Sequence, residues 1–168
     1  KVGQIYLTQG ELRRASNLIL QSYELAKQYL PLNHANRIYY GNLAVGVCRE
    51  LGRFQQAETI YSELMDFYES NSDFQDDLSY PAILDQMGSF YQQQGDLEKA
   101  YEYYNRANIL FELRLENTDP RYIQSQTNVG NILRLQEKYI ESELYYLAAL
   151  QYSGQAFGEN SWTEGYLR

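Results

Sequence analysis

Residues 95–108 read GDLEKAYEYYNRAN. A turn residue, Gly95, leads; Leu97 follows two positions later, Ala100 five later and Tyr104 nine later. Helix positions three and four apart share a face, so Leu97, Ala100 and Tyr104 form one stripe with a small residue between two large ones. A stripe of that kind interlocks with a neighbour: the small residue lets a second helix approach, and the ring fills the gap beside it.

The same arrangement recurs along the chain. GELRRASNLILQSY from Gly10, GRFQQAETIYSELM from Gly52 and EKYIESELYYLAAL from Glu137 align with it without gaps, at spacings of 42, 43 and 42 residues. The slot two after the turn holds Leu12, Phe54, Leu97 or Tyr139; the small slot holds Ala15, Ala57, Ala100 or Ser142; the large slot holds Ile19, Tyr61, Tyr104 or Tyr146. Seven residues before each turn stands Gly3, Val45, Gly88 or Gly130, and four before it Tyr6, Cys48, Tyr91 or Leu133. This is the matching half of the lock on a preceding helix, so each unit is predicted to be helix, tight turn, helix. Self-similarity at such a period is the signature of a stacked repeat architecture.

The pattern resembles the tetratricopeptide repeat, whose signature pairs a small residue early in the first helix with Gly at the turn and Ala then Tyr or Phe in the second. DQMGSFYQQQGDLEKAYEYYNRA, residues 85–107, matches it almost slot for slot. The usual period of that family is about 34 residues, so these units carry roughly two additional helical turns, or loop, each. The longer period is similar to the kinesin light chain subset, as are NLAVGVCRELGRFQQAE and ALQYSGQAFGENS. The fourth repeat departs from the family pattern, with Glu137 for the turn Gly and Ser142 for Ala. The resemblance implies an all-α, right-handed solenoid of antiparallel helix pairs with about three and a half to four repeats. The expected array runs as a partial repeat over 1–36, repeats over 37–79, 80–121 and 122–163, and the start of another at 164–168.

Punctuation places the helix starts. Asp119 before Pro120 reads as an N-cap with proline in the first turn, and Pro81 is expected to open the first helix of its repeat. Ser161–Glu164, SWTE, has the capping-box spacing, so a further helix is expected to begin there. Residues 1–9 read as the tail of a first helix, and the first residue is Lys1. The expectation is a portion of a longer polypeptide, able to self-associate through repeat ends left uncovered.

Acidic residues outnumber basic ones 22 to 14, giving a net charge of −8 that repels phosphate backbones and anionic lipid surfaces. Neither nucleic acid nor a membrane is the expected partner, and no apolar run approaches the ~20 residues of a membrane span. The one cysteine, Cys48, gives no disulfide framework, which fits a cytoplasmic setting. It falls in a helix-packing slot and reads as a small buried hydrophobe rather than a reactive thiol.

Nothing in the sequence asks for a cofactor, a metal or catalysis. The single histidine, His34, lies in a linker with no second ligand and no serine motif beside it, so it reads as a linker or capping residue. Asp76, Asp77, Glu98 and Glu116 fall on loops and outer helix faces, where solvated surface is the economical reading. The 18 tyrosines include the doublets Tyr39–Tyr40, Tyr103–Tyr104 and Tyr145–Tyr146. One member of each later pair packs in the core with its hydroxyl at the rim, an explanation preferred to an aromatic cage.

The remaining informative surface is the face of each first helix turned away from its partner, which lines the concave side when repeats stack and curve. Equivalent positions give three columns: Asn42, Asp85, Thr127; Gly46, Ser89, Asn131; Arg49, Gln92, Arg134. With Asn128 at the edge, these side chains suit an extended peptide backbone, and Arg49 and Arg134 suit a carboxylate. Family members that clamp chaperone C-termini need lysines at slots held here by Asn42, Gly46, Gln86, Gln124 and Asn128, so that activity is not expected. The expected function is a protein or peptide interaction scaffold, the sensing or scaffolding arm of a larger signalling protein. The alternative within binding is an intracellular receptor for short signalling peptides; an enzyme with an unrecognised site is the rival from another class.

Overall fold

The computed structural model describes residues 12–31, 34–70 and 77–158. These form seven helices and no strand: α1 (Leu12–Tyr29), α2 (Ala35–Glu50), α3 (Phe54–Ser70), α4 (Ser79–Gln94), α5 (Leu97–Arg114), α6 (Pro120–Leu135) and α7 (Tyr139–Phe157). They fall into two compact units, Lys1–Phe74 and Gln75–Arg168. In the first, α1 packs on α2 and α2 on α3; in the second, α4 packs on α5, α5 on α6 and α6 on α7. The readings that concern Gly3, Tyr6, Gly10, Asp76 and Ser161–Glu164 lie outside the described residues.

The turn inside each helix pair is built the same way three times. Gly52, Gly95 and Glu137 all take positive φ, at 67°, 80° and 63°. In each turn that residue donates its N–H to the carbonyl three positions back, and the next residue donates to the carbonyl five back: Arg53 to Cys48, Asp96 to Tyr91, Lys138 to Leu133. This is the Schellman arrangement, which satisfies carbonyls left open at a helix end. Glu137 adopts it without glycine's freedom, so the fourth repeat keeps the turn at a steric cost.

The lock read from the sequence is present in the structure. Ala15, Ala57 and Ala100 are wholly buried, as are Cys48 and Tyr61, while Val45, Tyr91, Tyr104 and Leu133 are buried too. A Cβ placed on Gly88 would meet the Tyr104 ring at 2.6 Å, and one on Gly130 would meet Tyr146 at 3.1 Å. Ser142 replaces alanine by giving its hydroxyl a partner, donating to the Gly130 carbonyl at 2.8 Å. Phe54 and Tyr139 differ from the pattern: they are exposed at the first positions of their helices, where Leu97 in the same slot is half-buried.

Caps fix where helices begin. His34 Nδ1 accepts from the Asn36 N–H at 3.1 Å, which is the capping role its linker position implies. Asp119 accepts from the Arg121 N–H with Pro120 in the first turn, as expected. Pro81, by contrast, is the third residue of α4, which starts at Ser79 after the Asp77 carboxylate accepts the Ser79 N–H. In the first unit, Glu63 joins α3 to α1, accepting from the Tyr23 hydroxyl and the Lys27 ammonium, both at 2.7 Å. Burial works against the Glu63 charge, but these two donors outweigh it and hold the carboxyl below its ordinary range.

Replacing Glu137 with glycine is expected to stabilise the chain by about 0.5–1 kcal/mol, since relief of the left-handed strain exceeds glycine's added unfolded-state entropy. Urea denaturation checks this; a lower midpoint for Glu137→Gly would contradict it.

Candidate functional site

The polar columns of the second unit lie on α4 and α6, the first helices of successive repeats. Asp85, Ser89 and Gln92 are half-buried on α4; Thr127, Asn128 and Asn131 are half-buried on α6, and Arg134 in its last turn is exposed. A hydrogen-bonded chain crosses between the helices. Gln124 Nε2 donates to Asn128 Oδ1 at 2.9 Å, and Asn128 Nδ2 donates to Asp85 Oδ1 at 2.7 Å.

Two further columns are tied to the lock. The Tyr104 hydroxyl donates to Gln92 Oε1 at 2.9 Å and the Tyr146 hydroxyl to Asn131 Oδ1 at 2.7 Å. Each ring passes the glycine slot, and its length carries the hydroxyl to an amide on the facing helix. Thr127 donates to the Ile123 carbonyl within its own helix at 3.0 Å. Asn128 and Asn131, placed by the sequence on or at the edge of the face turned away from the partner helix, are both engaged inside the unit. The signal for Asn131 was a tyrosine facing a glycine; Asn128 pairs locally with Gln124 four residues before it, but its bond to Asp85 has no local signal, because that partner is 43 residues away.

The other two candidates, Asn42 and Arg49, belong to α2 in the first unit, where both are half-buried. The Asn42 Oδ1 atom is buried and has no hydrogen-bond donor among the described residues. Cys48 is buried beside them, and burial raises its thiol pKa, which suits packing rather than nucleophilic chemistry. Among the described residues no three His, Cys, Asp or Glu side chains come together as a metal site.

An apolar groove of about 710 Å³ runs between α6 and α7, with Thr127, Arg134, Tyr146, Leu147 and Leu150 in its walls. One repeat earlier, the corresponding place on α4 and α5 is filled by α6, whose Ser125 hydroxyl donates to buried Asn108 at 2.9 Å. The groove therefore has the form of a seat for a helix. Ile140 and Leu144, on the rest of α7, are 80% and 64% exposed.

A family model described as the tetratricopeptide repeat matches residues 80–155. The likeness to the tetratricopeptide repeat family covers that stretch, a little under half of the chain. No curated protein matches it in sequence. Among solved structures, BtubC (BKLC) from P. vanneervenii superposes with a TM-score of 0.82 at 15% identity, covering 94% of this chain and 62% of that one. A Podosopora anserina protein of nearly identical TPR-like repeats, of the kinesin light chain kind, gives 0.78 at 15% identity, covering 92% and 73%. RapI in its apo form gives 0.73 at 12% identity, covering 98% and 64%. These likenesses show a shared all-α helical-repeat solenoid fold, and the chain spans about 62% of the length of BtubC. The repeats here keep the long period, with the positive-φ turn residues at 52, 95 and 137.

Within the site, burial holds the Asp85 carboxyl above the ordinary aspartate range, and the hydrogen bond from Asn128 only partly offsets it. The folded chain therefore binds this proton more tightly than the unfolded chain, so the stabilisation present at acid pH is lost as pH rises through the raised value. Asparagine keeps an acceptor for Asn128 and removes the charge. Asp85→Asn is expected to raise Tm at pH 7, with the gap to wild type closing as pH falls through the raised value and closed by about pH 4, the ordinary aspartate range. Thermal unfolding at several pH values checks this; a lower Tm at pH 7 would contradict it.

Proposed function

We propose that this tetratricopeptide repeat chain is a protein- and peptide-binding module, the sensing or scaffolding arm of a larger cytoplasmic signalling protein, working without catalysis of its own. The observation that carries the reading is the polar face of α4 and α6, where Gln124, Asn128 and Asp85 are held in one hydrogen-bonded chain. Side chains fixed in this way lose little freedom on meeting a ligand, which favours binding. Their amides offer donors and acceptors to an extended main chain, with Ser89, Gln92, Thr127 and Asn131 alongside and Arg134 available to a carboxylate. Asn42 and Arg49 supply the same chemistry in the first unit. The net charge of −8 disfavours nucleic acid and anionic membrane as partners.

A receptor for short signalling peptides is the narrower form of this reading. It is favoured by the confinement of the bonded amides to two helices, a length that suits a peptide of a few residues. Association of two copies through the apolar face of α7 is a separate part of the proposal, with exposed Ile140 and Leu144 as the contact; sedimentation at increasing concentration reads it.

Peptides selected from a random display library on the folded chain, then titrated calorimetrically, test the binding reading. Arg49→Ala with Arg134→Ala is expected to retain the wild-type fold and to weaken carboxylate-bearing ligands by roughly 1.5–3 kcal/mol, the range for a lost charge-assisted hydrogen bond. Normal folding with unaltered affinity would remove the polar faces from the account.

A further inference from the structure

A second cavity, of about 560 Å³, opens between the first half of α4, the end of α5 and the start of α6. Its walls are of two kinds. Ala82, Phe111 and Pro120 supply apolar surface, while Asp85, Gln86 and Gln124 supply polar groups. Asp85 is the one carboxylate set back within a helix here, and among the described residues its only hydrogen-bond donor is Asn128.

The other charges around the cavity are matched locally. Arg121 is held by Asp119 through two bonds, Nε to Oδ1 at 3.0 Å and Nη2 to Oδ2 at 2.8 Å. The start of α4 carries Asp77, bonded to the Ser79 N–H, and the start of α6 carries Asp119, bonded to the Arg121 N–H. Each helix start contributes about half a positive charge, and a capping carboxylate already answers it. The charge left without a counterpart is that of Asp85, in a recess with apolar sides.

Resting on the peptide-binding reading above, we propose that this cavity receives a basic side chain of the bound peptide, its alkyl stem against Ala82, Phe111 and Pro120 and its cation on the Asp85 carboxylate. Lysine and arginine both carry an apolar stem ending in a charge, which is the shape of this recess. Arginine fits better, because its planar fork can meet the Asp85 oxygens while its edge meets the Gln86 and Gln124 amides. Burial makes the bare Asp85 charge costly, and an incoming cation removes that cost. A carboxylate placed there at a cost in stability is accounted for by a ligand that needs it.

The direct test is a titration of 15N-labelled protein with N-acetyl-arginine amide, N-acetyl-lysine amide, N-acetyl-norleucine amide, N-acetyl-glutamate amide and glycinamide. The Asn128 side-chain amide, bonded to Asp85, is the reporter. The arginine and lysine probes are expected to shift it saturably, with the norleucine and glutamate probes leaving it in place and Asp85→Asn weakening the response at least tenfold. Glycinamide binding as well as the arginine probe would assign the site to a peptide amino terminus instead. Equal response to norleucine, any saturable response to glutamate, or an unchanged response in Asp85→Asn would overturn the proposal. Glu102→Gln, which removes an exposed acid of α5 outside the cavity and keeps the Asp85 charge, serves as a second variant and should retain the shift. Library peptides that bind the polar face but lack any basic residue would sink the cavity assignment alone. Absence of any binding peptide, with the arginine probe still seated at Asp85, would sink the broader reading alone.

Discussion

The second unit is organised around the absence of a side chain at Gly88. The Tyr104 ring lies so close that a Cβ there would stand 2.6, 2.7 and 2.9 Å from three of its atoms. Those atoms are at the base and side of the ring, so the tyrosine could not swing clear without leaving its slot. The contact sets how near α4 and α5 approach, and the Schellman turn at Gly95 delivers the second helix in the register that makes it. The same device at Gly130 and Tyr146 is looser, at 3.1 Å, and Ser142 adds a hydrogen bond to the facing backbone. Helix pairs fixed at these spacings present their first helices, and the polar face follows from that placement.

Core and face share residues. A tyrosine hydroxyl left without a partner costs up to roughly 1–3 kcal/mol when fully buried, and Gln92 and Asn131 are the partners of the part-buried hydroxyls of Tyr104 and Tyr146. Their amides therefore serve packing first, and substitution there mixes a stability effect with any binding effect. Asp85 and Arg134 separate the two better. Removing the Asp85 charge relieves a burial cost, while Arg134 is exposed in the last turn of α6.

The parts of the structure written locally were legible in the sequence. Gly88 and Tyr104 could be paired because the repeat supplies four aligned copies of one register, and His34 could be assigned to a cap because nothing around it offers another role. Glu137 was legible as a departure from the family pattern, yet its left-handed conformation was not, since a non-glycine residue in the turn slot does not say whether the turn is kept under strain or rebuilt. The contact between Asp85 and Asn128 was not legible: it depends on how α6 seats on α4 and α5, and no spacing rule along one helix reaches 43 residues. Phe54 and Tyr139 misled for a related reason, because periodicity places a residue on a face without saying where the neighbouring helix stops. The recess beside Asp85 is likewise a property of three elements together.

The measurement closest to the central claim compares alanine at two helical glycines. Gly46 has nothing within 4 Å of where a Cβ would stand, whereas Gly88 faces the Tyr104 ring. Alanine is favoured over glycine by about 1 kcal/mol inside a helix, so both substitutions begin with the same gain. Overpacking at Gly88 costs about 1–3 kcal/mol or more and should reverse it there. In urea denaturation Gly46→Ala is predicted to raise the midpoint and Gly88→Ala to lower it, with Tyr104→Leu relieving part of the loss in the double variant. A Gly88→Ala chain as stable as Gly46→Ala would contradict the account.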